Sequence, residues 1–214
     1  IAAANGCAAV TAQNTITITA LPVGTFSYAN TPYCSTDNDP SPAMDGATGT
    51  FSASGVAGNL VFSTTTGVVD LSASTAGTYT VTNTIAAAGG CAQVQETAQI
   101  EIHPSITVAI TLSNSIDCNG DNDGQLTGTI TGGTANYDYD WGTTLNGTEV
   151  DDVNGSAQLT NVQSNLVPDE YYLTVTDANG CIARDDLEIT EPTALSVAIT
   201  LSNSIDCNGD NDGQ

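Results

Sequence analysis

Thr78-Tyr79-Thr80-Val81-Thr82 carries polar and apolar side chains at strictly alternate positions. Successive side chains of a β-strand point to opposite faces, so a period of two puts one face toward a core and the other toward water. The same alternation returns at Asn14–Thr19 (NTITIT), Leu173–Thr176 (LTVT), Leu187–Thr190 (LEIT) and Leu195–Leu201 (LSVAITL). Glycine-rich turns separate these runs, and no stretch carries the 3.6-residue period of a helix. The sequence predicts an all-β chain.

Working outward from the strands, the chain repeats itself in two ways. VAITLSNSIDCNGDNDGQ stands at Val108–Gln125 and again, unchanged, at Val197–Gln214. IAAANGC at Ile1–Cys7 is matched by IAAAGGC at Ile85–Cys91, and AAVTAQNTITITALP at Ala8–Pro22 runs parallel to AQVQETAQIEIHP at Ala92–Pro104. Two unit types follow. Residues 1–22 are the C-terminal part of a type A repeat, and 23–104 are a complete type A repeat. Residues 105–192 are a complete type B repeat, and 193–214 are the N-terminal part of the next. Such a pattern is expected of a window cut from a longer array. Each unit's last strand runs into a proline (Pro22, Pro104, Pro192), which ends a ladder and stiffens the exit. Complete units of roughly 80–90 residues match small sandwich domains. The expected architecture is tandem immunoglobulin-like antiparallel β-sandwich modules in a rod-like array.

Charge narrows the function classes. There are 24 Asp and Glu against a single Lys or Arg (Arg184) and one histidine (His103), for a net charge of −23. Phosphate binding needs clustered Lys and Arg, so nucleic acid and anionic membrane surfaces are excluded as partners. Lys–Asn isopeptide cross-links need a lysine, and the chain has none. No stretch is apolar and long enough to span a bilayer, so membrane insertion is not expected. No signal peptide is visible, which in a sequence opening mid-unit says nothing about export.

Six cysteines fall in register: Cys7, Cys34, Cys91, Cys118, Cys181 and Cys207. Each complete unit has one near its start and one in its last hairpin. The simplest framework pairs Cys34 with Cys91 and Cys118 with Cys181, leaving Cys7 and Cys207 to partners outside the window. A rival joins each late cysteine to the next early one: 7–34, 91–118 and 181–207. Free thiols or metal sites are the remaining reading, and no CxxC spacing supports zinc. Disulfides imply an oxidising compartment and an exported chain.

Other candidate sites have two readings each. In Asp117-Cys118-Asn119-Gly120-Asp121-Asn122-Asp123-Gly124, oxygen side chains at Asn119, Asp121 and Asp123 followed by glycine have the spacing that opens a calcium loop. The closing glutamate is missing, since Ile130 stands in its place. An Asx-rich turn capping its own backbone explains the same residues. Calcium, held by Asp117, Asn119, Asp121 and Asp123, is the sole cofactor candidate. Asp37-Asn38-Asp39 with Asp45 is a looser analogue in type A. Tyr137, Tyr139 and Trp141 share one strand face, either as an aromatic strip for sugar rings or as a core anchor, and the core is favoured. Tyr79 and Tyr171 read as tyrosine-corner or core residues. Asp177–Gly180 is a hairpin turn. Asn146 and Asn154 begin glycosylation-type sequons. Enzymatic chemistry has little material, since a Ser-His-Asp triad would rest on His103 at a module boundary, and no catalytic residues are assigned.

Cys118-Asn-Gly-Asp-Asn-Asp-Gly124, Gly132-Gly-Thr-Ala-Asn-Tyr-Asp-Tyr-Asp-Trp141 and Tyr171-Tyr-Leu-Thr-Val-Thr-Asp-Ala-Asn-Gly-Cys181 together resemble the SprB-type repeat of giant surface adhesins of gliding bacteria. The resemblance spans Cys118 to about Pro192 and restarts at Cys207. It departs at Ala135-Asn136, where the family often has Pro-Pro, and at Asp169-Glu170, where Gly-Thr is usual. Type A is similar to another immunoglobulin-like repeat of such proteins, through Pro32-Tyr-Cys34, Ser74–Ile85 and Gly89-Gly-Cys91. The resemblance implies type IX secretion, display at the cell surface and roles in adhesion and gliding. The expected function is a structural repeat segment of a long secreted adhesin or fibre, a disulfide-locked stalk whose partners are neighbouring repeats of the same chain. The alternatives are a subunit of a self-assembling extracellular filament, a surface module binding glycans through the Asp121–Asp123 turn or the Tyr137–Trp141 strip, and, more distantly, a hydrolase accessory domain.

Overall fold

The computed structural model describes residues 11–16, 18–29, 31–55, 58–145, 152–200, 202, 207–209 and 211. They are all-β, with no helix among them. The chain divides into two units, Ile1–Pro104 and Ser105–Gln214. Each is an immunoglobulin-like β-sandwich.

In the first unit the strands are β1 (Phe26–Ser27), β2 (Tyr33–Cys34), β3 (Ala43–Met44), β4 (Thr50–Gly55), β5 (Val61–Phe62), β6 (Val69–Asp70), β7 (Gly77–Ile85) and β8 (Val94–His103). The main sheet has the order β2-β8-β7-β4, with β2 parallel to β8 and the other pairs antiparallel. The pairs β1-β3 and β5-β6 complete the layers. Alternation along β7 sends Tyr79, Val81 and Asn83 inward, where the first two meet Phe51, Val69, Leu71, Ile100 and Ile102. Phe26 sits edge-on to both Tyr28 and Phe51, with ring centroids 6.0 and 5.4 Å apart, the T-shaped geometry that the ring quadrupole favours.

Tyr28 donates its hydroxyl to the Gly67 carbonyl at 2.6 Å inside this core. Burial, with a smaller push from Tyr33, raises its pKa to about 12. A pKa above the unfolded value near 10 means the protonated form is favoured in the fold. The contribution is complete below pH 10 and is lost as pH rises from 10 through 12. Tyr28→Phe is expected to cost about 1 kcal/mol at neutral pH, the net value of one hydrogen bond. It should also flatten the fall in stability of this unit between pH 10 and 12. Denaturant midpoints measured against pH for both proteins check this, and an unchanged alkaline limb would refute the assignment.

The second unit has seven strands: β9 (Ile106–Asn114), β10 (Gly124–Gly132), β11 (Tyr137–Gly142), β12 (Asp152–Ser156), β13 (Thr160–Leu166), β14 (Asp169–Thr176) and β15 (Ile182–Ile189). They form a three-stranded sheet, β13-β10-β9, over a four-stranded one, β12-β11-β14-β15. All pairs are antiparallel. At one edge the Ile110 amide donates to Asp185 Oδ2 at 2.7 Å, tying β9 to β15. The core holds Leu126, Ile130, Tyr139, Trp141, Leu173, Val175 and Ile189. Gly128 lies beneath Trp141 and Leu173: a Cβ there would stand 2.4 Å from Leu173 Cδ2 and 3.1 Å from the indole. Only glycine lets the two sheets close at this point.

Two predicted strands are corrected. The described part of Asn14–Thr19 is in no strand, and Ile16 and Ile18 are exposed. Nor is the described part of Leu195–Leu201, although its Val-Ala-Ile-Thr repeats Val108–Thr111 within β9. Ile110 is 6% exposed and its twin Ile199 is 95% exposed. Alternation fixes which side chains share a face, but a strand also needs a neighbour for its amides and carbonyls. β9 has β10; the second copy pairs with no described strand.

Candidate functional site

Strand register assigns every site residue to one of the two poles of its unit. In the first unit the chain enters beside the β7–β8 turn. The Val23 carbonyl accepts the Ala47 amide at 2.7 Å. Buried Asn83, near the end of β7, donates Nδ2 to the Gly24 and Ala47 carbonyls at 2.9 and 3.1 Å and accepts the Gly49 amide on Oδ1 at 2.8 Å. Cys91 lies in this turn, its amide bonded to the Ala88 carbonyl at 2.9 Å and its Sγ 3.7 Å from the Thr19 carbonyl. An apolar cavity of about 240 Å³, lined by Thr19, Ala20, Pro22, Ile85, Ala86, Ala88 and Cys91, opens here. This is the entry pole. The exit pole is where β8 ends. There Cys34 pairs with His103, and the Ser35 amide donates to the His103 carbonyl at 3.3 Å. His103 is half-buried.

In the second unit the entry pole is set by Ser105, whose carbonyl accepts the Gly133 amide at 2.9 Å. Gly132 and Gly133 turn with φ of 77° and 66°. Buried Asp177 binds this loop to the β14–β15 turn. One carboxylate oxygen takes the Thr134 amide at 2.8 Å, and the other takes the Asn179 and Cys181 amides at 2.9 Å each. Cys181 is therefore at the entry pole, and it is buried. At the exit pole, past the end of β15, the Glu191 carboxylate accepts Asn119 Nδ2 at 2.7 Å and the Gly120 amide at 2.6 Å. Cys118 sits there, its carbonyl taking the Asp121 amide at 3.1 Å.

The expected disulfide pairs are corrected by this arrangement. Cys34 and Cys181 are disulfide-bonded, whereas Cys91 and Cys118 are free thiols. Neither Cys34–Cys91 nor Cys118–Cys181 forms, because the members of each pair lie at opposite poles. β8 alone, at about 3.3 Å per residue, separates them by roughly 30 Å, and β15 does the same over roughly 23 Å. A disulfide needs Cα atoms within about 7 Å. Cys207 is also a free thiol, and Cys7 lies outside the described residues.

The acidic turn of the calcium reading is held by its own backbone and by Glu191. Asn119 turns its amide to Glu191 and to the Pro192 carbonyl at 3.1 Å. Asp123 Oδ1 accepts the Asp117 amide at 3.3 Å, and the Asp123 carbonyl accepts Asn114 Nδ2 at 2.8 Å. Asp117, Asn119, Asp121 and Asp123 thus lie in a turn closed by local backbone bonds and by Glu191. Among the described residues no group of three or more His, Cys, Asp or Glu could hold a metal ion. The type A analogue behaves alike: Asp37 accepts the Cys34 amide at 2.8 Å and Asp39 the Leu71 amide at 2.9 Å. Asp206, Asp210 and Asp212 of the second copy lie outside the described residues.

The aromatic strip is core. Tyr137, Tyr139 and Trp141 are buried, donating to Gly132 O at 2.9 Å, Gln158 O at 2.6 Å and Asn161 Oδ1 at 2.9 Å. Burial raises the Tyr139 pKa, with Tyr137 second. Tyr79 and Tyr171 donate four residues back, to Thr75 O at 2.7 Å and Val167 O at 3.0 Å, as tyrosine corners do. Burial raises the Tyr171 pKa as well. Asn154 is exposed on β12, and Asn146 lies outside the described residues. Sequence reasoning missed Asn83 and Glu191. An asparagine at an inward-facing parity position of β7 was the available signal for the first.

No family model matches the chain. No curated protein matches it either. Among solved structures, the adhesin InvE of Yersinia pseudotuberculosis is 11% identical, with 78% of this chain and 58% of that one covered and a TM-score of 0.28. Extracellular domains 3–5 of Drosophila OTK are 11% identical over 79% and 62%, with a TM-score of 0.38. The N-terminal four immunoglobulin domains of a Dscam1 isoform are 11% identical over 83% and 48%, with a TM-score of 0.35. The chain therefore spans about half to six-tenths of each of these structures, and none is close enough to carry a function across.

Proposed function

We propose that the chain is a structural segment of a long secreted surface adhesin or fibre, a stalk that holds a distal binding element away from the cell. One observation carries this reading: the features that looked like sites are consumed by the fold. The aromatic strip is buried, and carboxylates of the acidic turns accept nearby backbone amides. The disulfide-bonded Cys34 and Cys181 support an oxidising, extracellular setting. A net charge of −23 keeps copies apart in solution. Cell-surface display, type IX secretion and a part in gliding belong to the same proposal, supported by the SprB-type resemblance alone. Neighbouring repeats are the partners, and no catalytic role is assigned.

A competition assay tests it. The soluble chain, added at micromolar concentration to cells displaying the full protein, is expected to leave their attachment unchanged. Inhibition of attachment would make the chain a binding module, with glycans as the first ligand class to try. Sedimentation of the same sample into filaments would favour the assembly reading. That reading has one observation behind it, the exposed Leu195, Val197 and Ile199, an unpaired strand-like run available to a second copy.

A further inference from the structure

Asparagine followed by glycine is a dipeptide open to self-modification, because no side chain shields the glycine nitrogen from the asparagine amide carbon. Four such pairs lie among the described residues, all in the Ser105–Gln214 unit: Asn119-Gly120, Asn154-Gly155, Asn179-Gly180 and Asn208-Gly209. In the first three the glycine nitrogen already donates its hydrogen: Gly120 to Glu191 Oε2 at 2.6 Å, Gly155 to Asp138 Oδ1 at 2.6 Å and Gly180 to the Asp177 carbonyl at 2.9 Å. At Asn119-Gly120 the side-chain amide is held as well. Glu191 Oε1 accepts Asn119 Nδ2 at 2.7 Å, and the Pro192 carbonyl accepts the same nitrogen at 3.1 Å. Asn208-Gly209 repeats this pair with the same flanks, Ser-Ile-Asp-Cys before and Asp-Asn-Asp-Gly after. Gly120 and Gly209 both have left-handed backbone, with φ of 89° and 104°, and both pairs are exposed. Sequence, glycine conformation and solvent access are therefore matched, and the two oxygens of Glu191 are committed to the first copy.

We infer that Asn208 is a site of spontaneous deamidation, and that Glu191 is the positioning residue that holds the identical Asn119 against the same reaction. In that reaction the Gly209 nitrogen loses its proton to hydroxide and attacks Asn208 Cγ. The N–Cγ bond forms, the Cγ–Nδ2 bond breaks, and Nδ2 leaves as ammonia with a proton from water, which restores the hydroxide. Water then opens the five-membered imide at either carbonyl, leaving aspartate or isoaspartate. The net change consumes one water and releases one ammonia, and nothing is oxidised or reduced. At Asn119 both reacting groups are held. The Glu191 carboxylate against the Gly120 N–H opposes loss of that proton, because a second negative charge would form beside the first. The bonds from Nδ2 keep the side-chain amide turned toward Glu191 and Pro192. Giving up one charge-assisted hydrogen bond on the way to the imide slows the step by a factor of about ten or more. Deamidation adds a negative charge, and isoaspartate adds a methylene to the main chain. Glu191 thus keeps the turn between β9 and β10 in its native form.

Ageing the intact folded chain at mildly alkaline pH decides it, with each amide-to-acid conversion followed by mass spectrometry after denaturation and digestion. The chain has no lysine and one arginine, so trypsin separates Asn119, in residues 1–184, from Asn208, in 185–214. That step comes first, because cleavage at acidic residues makes the two peptides identical. The expected result is conversion at Asn208 at least about ten times faster than at Asn119. In Glu191→Ala the Asn119 rate should rise to match that of Asn208. Asn179, in the same unit, should stay an amide in that variant, which shows that the sandwich remains folded. Equal rates at Asn119 and Asn208 in the parent chain would overturn the inference. So would an Asn119 that stays slow in Glu191→Ala, or a gain there that Asn179 shares, since general loosening of the unit would then be the cause.

Discussion

Replacing Trp141 by alanine is expected to destabilise the Ser105–Gln214 unit by about 3–5 kcal/mol, the range for removing a large aromatic from a core. The indole is 0% exposed and stands against Gly128, where not even a methyl group fits. Its neighbours there include Leu173, whose strand pairs with that of Trp141. The backbone on both sides is fixed by ladders, so the void has little means of collapse. At about 4–8 °C per kcal/mol for a unit of this size, the melting temperature should fall by at least about 12 °C. Asn161 Oδ1 keeps its second donor, Gln163 Nε2 at 2.9 Å, so the loss is mainly one of packing. Trp141→Phe should fall between the two proteins. Calorimetry checks the series, and a shift below about 4 °C for the alanine variant would mean that the aromatic strip is not the anchor of this core.

A second large effect is expected at Asn83. Alanine there would strip three backbone groups of their partners: the buried Gly24 carbonyl and the part-buried Gly49 amide and Ala47 carbonyl. An unsatisfied buried group costs about 1–3 kcal/mol, and the part-buried groups less, so a loss of roughly 2–3 kcal/mol is expected in the Ile1–Pro104 unit. Asn83→Asp should be no better, because a carboxylate cannot donate to the two carbonyls. The chain's single tryptophan lies in the other unit. Denaturation of the Asn83 variants should therefore shift the circular dichroism transition of the first unit while Trp141 fluorescence unfolds where it does in the parent. A parallel shift of both signals, or none, would contradict the role.

Much of this was legible beforehand. The period-two runs at Thr78–Thr82 and Leu173–Thr176 became the central strands β7 and β14, and the tyrosines that open them became corners. Strand existence at Asn14–Thr19 and Leu195–Leu201 was not legible, because pairing is a property of two segments and the pattern describes one. The acidic turn was legible only in part, because Glu191, distant in sequence, takes the Asn119 and Gly120 donors.

The cysteines hold the more instructive case. Similar spacing in the two units invited pairing within each. Yet the second unit, entered at one pole and left at the other, is crossed an odd number of times, by seven strands. The first strand then ends at the exit, and the last begins at the entry. A cysteine after the first strand and one before the last are necessarily at opposite poles. That parity argument needs only the strand count, and it rules out Cys118–Cys181 before any distance is measured.

The same polar placement has a consequence under a pull. In the second unit the chain enters at the start of β9 and leaves at the end of β15, at opposite poles. Tension between Ser105 and Pro192 therefore runs along the strands, and the tie from the Ile110 amide to Asp185 Oδ2 is loaded in shear. Contacts loaded in shear give together, not one after another.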